Sequence, residues 1–270
     1  MTANHSTTSE DPSPQTIRDA GPYSTRNTAK GALIAEVGHV FAAIRGGSTI
    51  EQVREDVLGG VLVPQRSRNS RKGIWDRIHY RYLTHHIDWI ISSFVEALDV
   101  GPHSREFISM AYLHYVLRDR LAFDFVTEAL WHRGYQTRPI VPRNDVLDLL
   151  DQKAPNHPEI QKWTETTRVK LAGNILTALR DFGVLEGTQK KYLVCPALPL
   201  SIAEHLLRIL TLEGCRGREV IEDTTWRLFM LTEQDVAATL AKLSRDGNIH
   251  FEKVGMTVVL QTPPHWEEEQ

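Results

Sequence analysis

Apolar residues recur at a helical period through most of the chain, and short extended runs appear mainly behind helices in its last third. That pattern restricts the fold to a mainly helical one with small hairpins. Leu33, Ile34, Val37, Val40, Phe41 and Ile44 form one stripe and predict a helix over residues 32–44. Gly46-Gly47 ends it. Ser48 with Glu51 three residues on predicts a capping box for a second helix, which carries Ile50, Val53 and Val57 and closes at Gly59-Gly60. A short extended piece over 61–64 precedes a helix predicted from about Ser70 to Leu83. Helix, glycine turn, helix and basic helix in this order are compatible with a helix-turn-helix unit.

The middle carries the same period over residues 87–98, 104–118 and 123–132, with a shorter helix over 141–150. Residues 153–158, with Pro155 and Pro158, read as a linker. The last third then repeats one logic. A long helix is predicted over 158–182, with Val169, Leu171, Ile175, Leu176 and Leu179 on its apolar side, and Gly183 stops it. Val184-Leu185, Gly187 and residues 192–194 read as a hairpin. Further on, Thr232 and Asp235 predict another capping box, and Val236, Leu240 and Leu243 form a core stripe. Residues 249–251 and 257–260 read as strands joined around Gly255. Helix then hairpin, twice, is the one-dimensional pattern of winged-helix units.

The two ends differ from this body. Residues 1–28 are rich in Ser, Thr, Pro and Asn and are expected to be disordered, since they bury too little to offset ordering. An acidic tail is expected over 263–270. The expected division is a disordered tail (1–28), an N-terminal helical domain (29–155), a winged-helix-like region (156–262) and the acidic tail. The formal net charge of −3 argues against a nucleic-acid binder at first sight. Setting aside −2 from residues 1–24 and −3 from Glu267, Glu268 and Glu269 leaves the body at +2. Clustering of positive charge then matters more than its total.

Such a cluster exists. Residues 66–81 hold Arg66, Arg68, Arg71, Lys72, Arg77 and Arg81 against Asp76 alone, with Ser67, Asn69 and Ser70 between them. Short polar donors beside Arg and Lys suit phosphate contacts, and a helix N-terminus adds free N–H groups. A solvated helix face is the ordinary alternative for this segment. Lys170 lies on the long helix before the first hairpin, and Lys190 and Lys191 lie in its turn, where a wing could follow a phosphate backbone. The second helix–hairpin unit mixes Lys242 and Arg245 with Glu233, Asp235 and Asp246, which fits a protein-contact module better than a DNA contact.

No phosphate loop, nucleotide-binding glycine fingerprint or nucleophile motif is present, and no catalytic residue is assigned. His79, His85, His86, His114 and His132 lack ligand spacing, so neither a metal nor another cofactor is expected. Trp75, Trp89, Trp131 and Trp163 are expected to pack rather than stack on bases. Cys195 and Cys215 have no paired spacing, which together with the absence of a signal-type start suits a cytoplasmic protein. No run is apolar enough to span a bilayer, so no membrane partner is expected.

The run Ser67-Arg68-Asn69-Ser70-Arg71-Lys72, with Arg77, Tyr80 and Leu83, resembles the basic segment of the BrxA family of BREX bacteriophage-defence systems. Residues 110–126, with Leu121-Ala122-Phe123-Asp124-Phe125, are similar to that family too, as are Trp163, Thr164, Thr166-Thr167, Lys170-Leu171 and residues 175–185. The resemblance covers roughly residues 30–195 and fades beyond Leu200. It implies a small cytoplasmic, non-enzymatic double-stranded DNA binder with helix-turn-helix or winged-helix elements, whose partners are other BREX proteins. Two further readings stay open: a protein-interaction adaptor, which the mixed charge of the last unit suits, and an RNA binder of the NusB kind, a comparison that the resemblance implies.

Overall fold

The computed structural model describes residues 16–28, 31–65, 67–84, 87–134 and 139–268. It is mainly helical, with two small antiparallel hairpins in the C-terminal third. Helices α1 (Ile34–Arg45), α2 (Ile50–Gly59) and α3 (Arg68–Ile78) come first, and α3 runs on as a π-helical turn, His79–Leu83. Next are α4 (Asp88–Val100), α5 (Arg105–Leu117) and α6 (Arg120–Asp124), the last continued by a π-helical turn, Phe125–Leu130. Then follow α7 (Asn144–Lys153), α8 (Pro158–Gln161), α9 (Glu165–Asp181), β1 (Leu185–Glu186) and β2 (Tyr192–Leu193). The chain closes with α10 (Leu200–Leu212), α11 (Arg218–Glu222), α12 (Glu233–Arg245), β3 (His250–Val254), β4 (Thr257–Gln261) and α13 (His265–Glu268).

Side-chain caps place several of the helix starts. Ser67, Ser104, Thr164 and Thr232 each stand in extended backbone and accept from the N–H three residues on. The Thr232–Asp235 box forms as the sequence predicts. The box at α2 is shifted by one residue. Thr49 Oγ1 accepts from Gln52 N (3.2 Å) and Gln52 Oε1 accepts from Thr49 N (2.8 Å). Ser48 is not available for that role, because its N–H closes the end of α1 on Ala43 O at 3.1 Å.

Helix α5 is the centre of the fold. Every residue from 109 to 119 is buried, as befits a helix apolar nearly all round. Around it pack α1, α4, α6 and α10. Tyr112 of α5 meets Phe182, just past α9, at 5.8 Å and Phe229 at 5.6 Å, between ring centres. Buried side chains before and after residue 155 thus belong to one cluster.

Two expectations are corrected, and one stretch without an expectation is filled. The helix expected over 158–182 is broken: α8 ends at Gln161, and Thr164, with ψ 155°, starts α9 anew. Residues 154–156, expected as linker, make a 3-10 turn. Residues 200–230, to which no element was assigned, hold α10, whose Ile202, Leu206, Leu207, Ile209 and Leu210 are all buried.

The expected tails also differ. Residues 16–28 lie as a strap across the body, with Ile17, Tyr23 and Asn27 buried. The Glu213 carboxylate accepts from the N–H groups of Ile17 (3.0 Å) and Arg18 (2.9 Å) and pairs with the Arg18 guanidinium, which also reaches Asp223 at 3.1 Å. Asp19 N donates to Leu117 O at 2.8 Å. A polar composition hides two apolar anchors and a set of backbone hydrogen bonds. At the other end, α13 buries Trp266, and Arg208 stands between its ring and that of Trp89. The remaining tail residues, 1–15 and 269–270, lie outside the described residues.

Each hairpin follows a helix, as expected. Leu185 pairs with Leu193 and Glu186 with Tyr192, while Ile140 bridges Tyr192 on the other edge. The order is therefore extended residue, α7, α8, α9, β1, β2, with β2 central. The turn needs a glycine at 187: its φ is +93°, and a Cβ there would overlap the Lys190 carbonyl oxygen. In the second unit β3 and β4 pair from His250↔Gln261 to Val254↔Thr257 and pack on α12 and α11.

Candidate nucleic-acid interface

Helix α3 carries the basic segment and rests on α2. Ser67 Oγ accepts from Ser70 N at 3.1 Å, which starts the helix inside the charged run. Ile74, Trp75 and Ile78 face the core. That register turns Arg68, Asn69, Ser70 and Lys72 to solvent. Arg66 lies outside the described residues.

The remaining cations of the segment are held by the fold. Arg71 is half-buried, and its guanidinium donates to Leu58 O (2.9 Å) and Gln65 O (2.7 Å). It thereby closes the end of α2 and the loop before α3. Arg77 donates to Arg26 O (3.2 Å) and to Gly73 O. Burial and the nearby charge of Arg81 lower its pKa. Arg81 is only 4% exposed, donates to Gly31 O and Asn27 Oδ1, and lies over the Tyr115 ring at 4.6 Å. It is not available to a duplex lying on α3, so its place among the contact residues is corrected. Lys72 pairs with Asp76 at 2.7 Å on the exposed surface, a contact worth little against solvent screening.

The second group sits on a separate unit. Lys170 is exposed on the first half of α9, and Lys190 is exposed in the turn between β1 and β2. Lys191 is half-buried, with Nζ on Thr188 O at 3.1 Å, and its own carbonyl accepts from Val141 N at 2.8 Å. The structure therefore divides the candidates between the α2–α3 unit and the α9–hairpin unit.

Sequence reading missed a further set of cations. Arg26 and Arg118 border a cavity beneath α3, together with Arg77 and Arg81. Arg26 belongs to the strap read as a tail, whereas Arg118 stands in the charged run Arg118-Asp119-Arg120, whose ordinary reading is an internal salt-bridge network rather than a site. Asp119 lies at the cavity's base and accepts from Asn27 Nδ2 (2.7 Å) and Ala122 N (2.8 Å), and burial pushes its pKa up to about 6.

Trp75 and Trp89 are buried, and Trp163 packs against the core. Cys195 is exposed and Cys215 half-buried, and both are free thiols. Among the described residues no three His, Cys, Asp or Glu side chains gather in a metal-holding group. No described helix is long and apolar enough to cross a membrane.

The family model of BrxA matches residues 21–209, from within the strap to the last turns of α10. The chain belongs to the BrxA family. BrxA membership associates it with a BREX system and takes in both α3 and the first hairpin, but neither α12 nor the second hairpin. No curated protein matches the chain. Among solved structures, it is similar to the crystal structure of an uncharacterized protein from Magnetospirillum magneticum. The TM-score is 0.59 at 17% identity, over 78% of this chain and 100% of the other. That likeness concerns the fold alone.

Proposed function

We propose that this BrxA-family chain is a non-enzymatic, double-stranded DNA-binding component of a BREX system, acting in the cytoplasm beside other BREX proteins. One observation carries the reading: the capped first turns of α3 present Arg68, Asn69, Ser70 and Lys72 together to solvent. Free N–H groups and partial positive charge at that helix start add to the side chains as a phosphate-binding surface. The α9–hairpin unit supports it. Extended residue, helices, then hairpin is the order of a winged helix. Lys170 then lies on the helix that would enter the groove, and Lys190 and Lys191 lie on the wing.

The test is a gel-shift titration with a ~30-base-pair duplex at two salt concentrations, where neutralised phosphates make affinity fall steeply with salt. The informative variant is the pair Arg68→Glu and Lys72→Glu. Reversing Arg71 as well would confound the result, because it holds α2 to α3. Salt-sensitive binding lost in the pair fits the proposal. Equal binding by wild type and variant would move the contact to the α9 unit, where Lys190→Glu with Lys191→Glu is the next arm. Preference for a structured RNA competitor would favour the NusB-like reading instead.

A second reading, a protein-interaction adaptor, draws on the other hairpin. Val254 and Met256 stand 78% and 72% exposed beside a mixed-charge helix, outside the family match. Binding to a BREX protein that is lost when residues 200–262 are altered, and kept in the α3 variant, would support it.

A further inference from the structure

We propose that the cavity beneath α3 is a binding site for a phosphate group, sized for a mononucleotide. It does not rest on duplex binding by the outer face of α3. The cavity has a volume of about 340 Å3, at the small end of the roughly 300–1,000 Å3 usual for ligand pockets. Its wall is formed by α3 and its π-helical turn, the end of α5 and the strap. Four arginines line it, Arg26, Arg77, Arg81 and Arg118, against two carboxylates, Asp76 and Asp119.

Both carboxylates already have partners. Asp76 pairs with Lys72, and Asp119 accepts from Asn27 and the α6 backbone. Asp76 still acts on Arg77, and Asp119 on Arg81 and Arg26, through space, but neither hydrogen-bonds an arginine of the cavity among the described residues. Asp19, at the edge, accepts from the Tyr80 hydroxyl and lies 3.5 Å from Arg26. The guanidinium groups are fixed in place but not saturated. Arg118 uses Nε on Tyr80 O (3.4 Å) and Nη1 on Ile17 O (3.0 Å), and Arg77 uses Nε and Nη1 on backbone carbonyls. Their Nη2 groups make no hydrogen bond among the described residues. A phosphate accepts from several such forks at once, which is the chemistry that selects Arg over Lys.

The Tyr80 ring adds a flat surface, with the guanidinium carbon of Arg26 at 4.0 Å and that of Arg118 at 4.6 Å from its centre. Two cations held against one ring, with two more beside them, repel one another in a partly dry site. Burial, and then the charge of Arg81, lower the pKa of Arg77. An anion among the cations relieves their repulsion. The phosphate can belong to a free nucleotide or to the end of a nucleic-acid strand, and the two share this chemistry.

The experiment is isothermal titration of the full chain with adenosine monophosphate, and separately with a short oligonucleotide carrying either a 5′-phosphate or a 5′-hydroxyl. Variants are Arg26→Gln, whose side chain is 54% exposed and removable without opening the core, and Arg77→Gln. The expected result is one-site saturable binding of a phosphorylated probe that weakens at least tenfold in both variants. Binding of the mononucleotide identifies a free nucleotide as the source. Binding of the 5′-phosphorylated oligonucleotide alone identifies a strand end. No saturable binding of any probe overturns the proposal, as does equal binding by either folded variant or oligonucleotide binding that ignores the 5′-phosphate.

Discussion

The arginines of the basic run are not equivalent, although the sequence spaces them as if they were. Arg68 extends to solvent, whereas Arg71 joins the end of α2 to the loop before α3. Truncating Arg71 to Ala should therefore lower stability by about 1–2 kcal/mol, because it leaves two half-buried carbonyls without their donor. Arg68→Ala should stay within about 0.5 kcal/mol of wild type in a urea titration. A second residue-scale prediction concerns the buried pair His114 and His205, whose Nε2 atoms are 2.8 Å apart, one donating and one accepting. Burial, then the neighbouring His114 and Arg208, hold the His205 pKa well below the ordinary 6.5. The unfolded chain takes up a proton as pH falls through about 6.5 while the fold resists it, so this stability is present at neutral pH and lost toward acid. Asp119 works the other way: its pKa of about 6 lets the folded state gain a proton first below that pH. In urea titrations between pH 7.5 and 5.5, His205→Leu should show a shallower acid loss than wild type. An equal slope in both would remove His205 from the account.

At the scale of elements, sequence pattern and structure agree wherever a period and a cap coincide. The Thr232 box, the α1 stripe and both hairpins were legible because glycine punctuation bounded them. At α2 the same logic picked the wrong residue, since Ser48-Glu51 and Thr49-Gln52 both fit the capping pattern and only the end of α1 decides between them. Thr49→Ala should lower stability by about 1 kcal/mol, and Ser48→Ala should change it little, as read by thermal melting. Helix α10 was legible but unassigned: Ile202, Leu206, Ile209 and Leu210 recur at a helical period opposite Ser201, Glu204 and Arg208. By contrast, the split between α8 and α9 depends on the backbone conformation of Thr164, which periodicity does not report.

Across the whole molecule, the strap is what sequence reading could not reach. Composition averages over residues 1–28, whereas binding of the strap depends on Ile17, Tyr23 and Asn27 and on distant partners, Glu213 and Asp223, 196 and 205 residues along the chain from Ile17 and Arg18. Ile17→Ala should cost about 2–4 kcal/mol, as for a core aliphatic, where a disordered tail would give no change in a urea titration. The candidate interface was legible in part. Arg68, Asn69, Ser70, Lys72, Lys170 and Lys190 lie exposed, whereas Arg81 falls three and seven residues beyond Ile78 and Ile74, on the apolar side of its helix, and packing draws it inside.

The central claim is duplex binding through α3. Its most direct test compares wild type with the Arg68→Glu, Lys72→Glu pair on a ~30-base-pair duplex at two salt concentrations. Salt-sensitive binding by wild type, lost in the folded variant, is the expected result. Absence of binding by wild type at low salt would contradict it.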